Sequence, residues 1–143
     1  MTDLTLDQSR TIVDLALAFA RDKSLNPLAV IVLDARGALR AAAAEDGTSL
    51  GRWKVAFGKA NGALALGMGS RKLSAAAIER PHFFTGLTTI LEDGIVPVAG
   101  GVLIRNAKGD LIGVAGASGD TSDNDEAALL HAIKTAGLVA DAG

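Results

Sequence analysis

The chain has no cysteine, no tyrosine, three prolines and one tryptophan in 143 residues. Without cysteine, disulfides, iron–sulfur clusters, thiolate-bound zinc and cysteine nucleophiles are excluded. Aromatic residues make up only 3 %, so stacking platforms for bases or sugars are scarce. A surplus of either charge is also missing. Lysine and arginine total 14 against 16 acids, a net −2, without the basic excess of a nucleic-acid binder. No apolar run approaches the roughly 20 residues of a membrane span. Met1 to Arg10 carries acids and no basic n-region, and no apolar h-region follows it. These absences predict a cytoplasmic protein that engages neither nucleic acid nor membrane.

What remains is an ordinary globular composition, 49 % hydrophobic and 21 % charged. Its length fits one domain over residues 1–143. Thr5 and Gln8 have capping-box spacing. Ile12, Val13, Ala16, Leu17 and Ala20 continue at helical intervals until Asn26-Pro27. Leu28–Leu33, a turn at 34–37 and the alanine-rich return 38–44 read as a hairpin. A second helix is expected over 49–66 and a third, capped by Ser70, to Ile78, stopped by Pro81. Residues 82–99 predict a helical turn near 87–91 and a strand near 95–98. A second hairpin, 101–105 and 111–117, follows. A last helix begins within the stretch 118–125 and runs to about Val139. Hairpins with segregated helices predict an α+β fold, not a parallel dinucleotide-binding sheet.

Candidate chemistry is sparse. His82, between Pro81 and the pair Phe83-Phe84, could ligate iron or act as a general base. His131 reads as a locally bonded helix residue. Asp120, Asp123 and Asp125 lack the glycine and glutamate of a calcium loop and read as charge at a helix start. Gly113 to Gly119 is neither GxGxxG nor a P-loop. Its end at Ser118-Gly119 exposes backbone N–H groups that could hold a carboxylate or phosphate. Lys59 lies on the apolar side of the second helix, where it either snorkels outward or holds an anion. Arg52 and Lys54 read as solvated.

An ordered set of motifs resembles the GlcG/HbpS family, also called the haem-degrading domain family and related to the C-terminal domain of PduO-type proteins. The set is Lys59-Ala60, then Gly100-Gly101-Val102-Leu103-Ile104, then Ile112-Gly113-Val114-Ala115-Gly116-Ala117-Ser118-Gly119, then Asp125-Glu126. It spans nearly the whole chain. Two departures stand out: Leu103 replaces the proline of GG-V-P-I, and Ala44-Glu45-Asp46 keeps an aspartate but lacks the family's arginine. The resemblance implies a profilin-like α+β fold with a central antiparallel sheet and flanking helices. It also implies a homo-oligomer, and haem binding or degradation in some members.

Two functional expectations follow, beside a purely structural oligomer. In the first, haem is held by His82 as iron ligand, with Phe83 and Phe84 lining the slot and Arg80 or Lys59 facing the propionates. In the second, a cofactor-independent lyase, isomerase or tautomerase takes a small anionic metabolite. Lys59, Gly100, Gly101, Ser118 and Gly119 would then bind it, and His82, Asp46 or Glu126 would move the proton.

Overall fold

The computed structural model describes residues 3–143; Met1 and Thr2, and with them the start of the expected 1–143 domain, lie outside the described residues. Helix α1 (Leu6–Asp22) opens with the expected capping box: the Gln8 amide donates to Thr5 Oγ1 at 3.1 Å, and the Thr5 amide to Gln8 Oε1 at 2.9 Å. Strands β1 (Ala29–Asp34) and β2 (Leu39–Ala44) form the first hairpin. Its turn is organised by the Asp34 carboxylate, which accepts the amides of Arg36 and Ala38 at 2.9 and 3.0 Å. Helices α2 (Arg52–Leu66), α3 (Ser70–Glu79) and α4 (Pro81–Ile90) follow. Then come β3 (Gly101–Arg105), β4 (Leu111–Ser118), α5 (Ser122–Thr135) and β5 (Val139–Asp141).

The five strands form one antiparallel sheet in the order β2-β1-β4-β3-β5. The fold is therefore α+β with a central antiparallel sheet, as expected. Alternation along the strands divides the core. Val30, Val32, Val102 and Ile104 point to the α1 and α5 side, and Ile31, Leu33, Leu103 and Val114 to the α2 side. Alanines 56, 60 and 63 form the inner face of α2. Gly116 and Gly101 let that helix press directly on the sheet, since a Cβ at either would strike the carbonyl of Ala56 or Lys59.

Four sequence expectations are corrected. Residues 81–90 form a complete helix rather than a turn near 87–91. Pro81 stops α3, but its fixed φ also suits the first position of a new helix. Residues 95–98 form no strand, because this segment crosses the outer side of α2 rather than a sheet edge. The Val96 amide donates to Gly58 O at 3.1 Å, and Gly58 and Gly62 leave room for Val96 and Ile95. Ser70 does not cap α3; its Oγ accepts the Gly101 amide at 2.6 Å. Finally, α5 stops at Thr135, Gly137 turns the chain at φ +84, and Val139 begins the fifth strand.

Candidate functional site

The motif residues converge where α2 crosses β4 and the start of α5. Lys59 neither snorkels nor opens to a ligand. It is 2 % exposed, and its Nζ donates to Asp125 Oδ2 at 3.0 Å and to Ala117 O at 2.9 Å. Burial is the main influence on its ammonium and lowers its pKa, against the attraction and hydrogen bond of Asp125; the nearby Arg52 charge lowers it further. Asp125 is equally buried, and its second oxygen accepts the Asp120 amide at 2.9 Å. Gly100, at φ +116, passes close to the Lys59 Nζ. The expected role of Lys59 as an anion holder is thus corrected: its charge is matched inside the chain.

Glu126 is likewise engaged. Arg71 on α3 reaches both its oxygens through Nε, at 3.1 and 3.0 Å, and contacts Asp123 through a terminal nitrogen at 2.5 Å. Ser118 is fully buried, and its Oγ accepts from Arg52 at 3.2 Å. Arg52 is therefore half-buried, not the solvated residue the sequence predicts. Gly119 packs against the Pro27 carbonyl, and Gly101 against Lys59. Within the chain, Gly100, Gly101 and Gly119 thus serve close packing between α2, the sheet and the Pro27 segment.

The remaining candidates lie apart. His82, Phe83 and Arg80 are exposed around the start of α4, with the Arg80 guanidinium 4.7 Å above the Phe83 ring. Helix α4 carries no charged residue and also exposes Ile90. Asp46 is exposed after β2 and borders an open hollow with Arg21, Pro27, Ala44 and Glu45. His82, Asp46 and Glu126 thus stand on three separate elements, one of them already ion-paired. His131 stacks on Phe19 at 5.2 Å between ring centres, with Lys23 Nζ 5.9 Å from the same ring. These residues line a hollow of about 350 Å³. Among the described residues no cluster of three or more metal-ligating side chains occurs, and no helix is long and apolar enough to cross a membrane.

Sequence reasoning missed the joint role of Lys59 and Asp125. The signal was present: two motifs of opposite charge, one buried by periodicity, need a partner. It also missed Trp53 and Arg52, which belong to none of the motifs.

This frame, with a buried lysine–aspartate pair under an antiparallel sheet, defines an α+β protein of one recognisable class. Residues 4–134 match the model of the haem-degrading HbpS-like proteins, and the chain belongs to that family. Among solved structures, the haem complex of PduOC superposes with a TM-score of 0.84 at 24 % identity, over 96 % of this chain and 97 % of that one. The ORFY protein of Klebsiella pneumoniae superposes at 0.85 and 20 %, over 96 % and 92 %. HbpS superposes at 0.80 and 24 %, over 94 % and 91 %. No curated protein matches the sequence.

Proposed function

We propose that this chain is a single-domain, cytoplasmic haem-binding protein that works as a homo-oligomer. Membership of the HbpS-like family carries the reading, and the haem-bound state of PduOC supports it. Haem takes an axial ligand for its iron, for which an imidazole is suited, an apolar surface for its ring and a cation for its propionates. The start of α4 offers these in His82, Phe83 and Arg80, all solvent-accessible. The group would supply iron chemistry; the chain supplies ligand, apolar contact and charge. The grouping of His131, Phe19 and Lys23 around a real hollow favours a second placement of the same ligand. The exposed Ile78 and Ile90 support self-association.

The test is a haem titration by absorbance with His82→Ala and His131→Ala in parallel. A Soret shift that saturates at stoichiometric haem and is lost in His82→Ala supports the reading and its ligand. Loss in His131→Ala alone moves the ligand to α5. The absence of a saturable shift overturns haem binding. Haem degradation is the finer reading. It is followed on the loaded protein under ascorbate and oxygen, where bleaching with iron release supports it and a stable spectrum overturns it. Sedimentation velocity tests the oligomer.

A further inference from the structure

Helix α2 lies across β1, β4 and β3 but leaves one face of the edge strand β2 uncovered. On that face Ala42 and Ala44 are exposed, each beside a β1 neighbour, Ile31 and Ala29. The result is a slot of about 250 Å³ floored by these four side chains and walled by Trp53 and Ala56 of α2. Every one of these six residues is apolar. Five-carbon-and-larger side chains are absent from its β2 floor, so the floor is flat. The volume lies just below the range of pockets for drug-sized ligands, roughly 300–1,000 Å³. It suits a compact ligand and is too small to enclose a porphyrin.

The slot's own lining carries no charge, and the nearest cations unpaired among the described residues, Arg52 and Lys54, flank Trp53 in sequence just outside it. Ala29 pairs in register with Ala44 on one side and Ser118 on the other. Ser118, the strand neighbour of Ala29, accepts from the Arg52 guanidinium at 3.2 Å, which puts that cation beyond the Ala29 end of the slot. Arg52 forms no ion pair among the described residues. Lys54 Nζ lies 5.8 Å from the Trp53 ring and is also unpaired among them. Lys59 is near enough for Arg52 to oppose its charge, and Asp125 neutralises only one of those two cations. On the acidic side, Glu45 is paired with Arg21 at 2.8 Å, leaving exposed Asp46 as the neighbouring counter-charge.

We propose that the slot between α2 and β2 binds a small carboxylate with a compact apolar ring, the ring against Trp53 and the alanine floor and the carboxylate reaching Arg52. None of its residues is among those proposed above to hold haem. Of the motif residues only Ser118 stands beside it, through its hydrogen bond from Arg52.

Trp53 is the only tryptophan, so its emission reports on this slot alone. The probes are benzoate and cyclohexanecarboxylate, with benzamide and cyclohexanecarboxamide as uncharged controls, excited where the probes do not absorb. For about nine heavy atoms a Kd near ~1 mM is expected. Both acids should change Trp53 emission saturably and protect it from acrylamide, and the amides should bind about tenfold more weakly. Arg52→Gln should bring the acids down to the level of the amides. Ala42→Phe, on an exposed strand position, should fill the slot and abolish binding of all four while circular dichroism stays unchanged. Haem titration of Ala42→Phe should match the wild type. The proposal is overturned if the acids leave Trp53 unaffected, or if they bind equally to Ala42→Phe. It is also overturned if Trp53 is already shielded from acrylamide in a concentration-dependent way, because a second copy then covers the slot.

Discussion

Removing the Lys59 charge should be among the most damaging single changes in this fold. Lys59 and Asp125 have side chains 2 % and 1 % exposed, 3.0 Å apart. In Lys59→Met the packing volume is nearly kept, but the Asp125 carboxylate stays buried with only the Asp120 amide to meet it. Breaking a buried pair in this way costs about 3–5 kcal/mol. For a chain of this size that lowers Tm by roughly 10–15 °C. Asp125→Asn alone should cost a similar amount, since it strands the ammonium and keeps only the neutral hydrogen bond. The double variant removes both charges, so its loss should fall short of the sum by about 2 kcal/mol. It does not return to wild type, because Ala117 O has lost its donor. Urea unfolding followed by circular dichroism, with the three variants in one cycle, measures these values. A loss under about 1 kcal/mol in Lys59→Met, or single effects that add within about 0.5 kcal/mol, would refute the pairing argument. The pH dependence gives a second reading. Burial lowers the folded-state value of Lys59, while the unfolded chain keeps about 10.5. Between the two values the unfolded chain binds the extra proton, so this group makes stability rise with pH there. Lys59→Met should lack that slope.

On the acid side, Asp34 and Asp120 both titrate below their ordinary value of 3.8 in the fold. Burial would raise Asp34, but the amides of Ala38 and Arg36 and the Arg36 side chain outweigh it; Asp120 is held down first by the Asn124 side chain, then by the Asn26 and Thr121 amides. Their stabilisation is present above pH 3.8 and is lost as pH falls through the lowered values. Asp34→Asn and Asp120→Asn should therefore flatten the acid limb of a Tm-against-pH curve, and an unchanged limb would count against these hydrogen bonds. Arg71→Ala should cost about 1–2 kcal/mol, mainly because the nearly buried Glu126 loses its partner, the half-exposed arginine itself being screened. The difference should shrink in about 1 M salt, and a variant as stable as wild type at low salt would show the clamp to be idle.

Much of the frame was legible because local rules and tertiary packing agree there. The capping box at Thr5 and Gln8, the two hairpins and the apolar stripe of α1 each depend on neighbours within a few residues. The failures share a different cause. Helix α4 was obscured because Pro81 both ends one helix and begins the next. The segment at 95–98 has strand composition, yet its partner is the glycine-bearing side of α2, a contact that periodicity does not encode. Strand β5 is only three residues long and exists through pairing with β3. At the site, Ser70 looked like a cap and instead accepts from Gly101, 31 residues away. Arg52 reads as solvated because its partner, Ser118, lies 66 residues away, beyond the reach of helical spacing.

The motif residues are engaged within the chain for a physical reason. Lys59, Gly100, Gly101, Ser118, Asp125 and Glu126 are buried, and the four with functional side chains have partners within this chain. A buried charge with its hydrogen bonds satisfied has little left to offer a ligand, and freeing it would cost the pairing that holds α2 and α5 to the sheet. The two glycines serve by having no side chain, which lets the helix backbone and the Lys59 amine approach. Outside these six positions lie the ligand surfaces proposed above: the α2–β2 slot with Trp53 and Arg52, the start of α4 with His82 and the hollow beside His131. A change at those positions should alter binding with little loss of Tm. A change at the six motif positions should lower Tm first and binding only as a consequence.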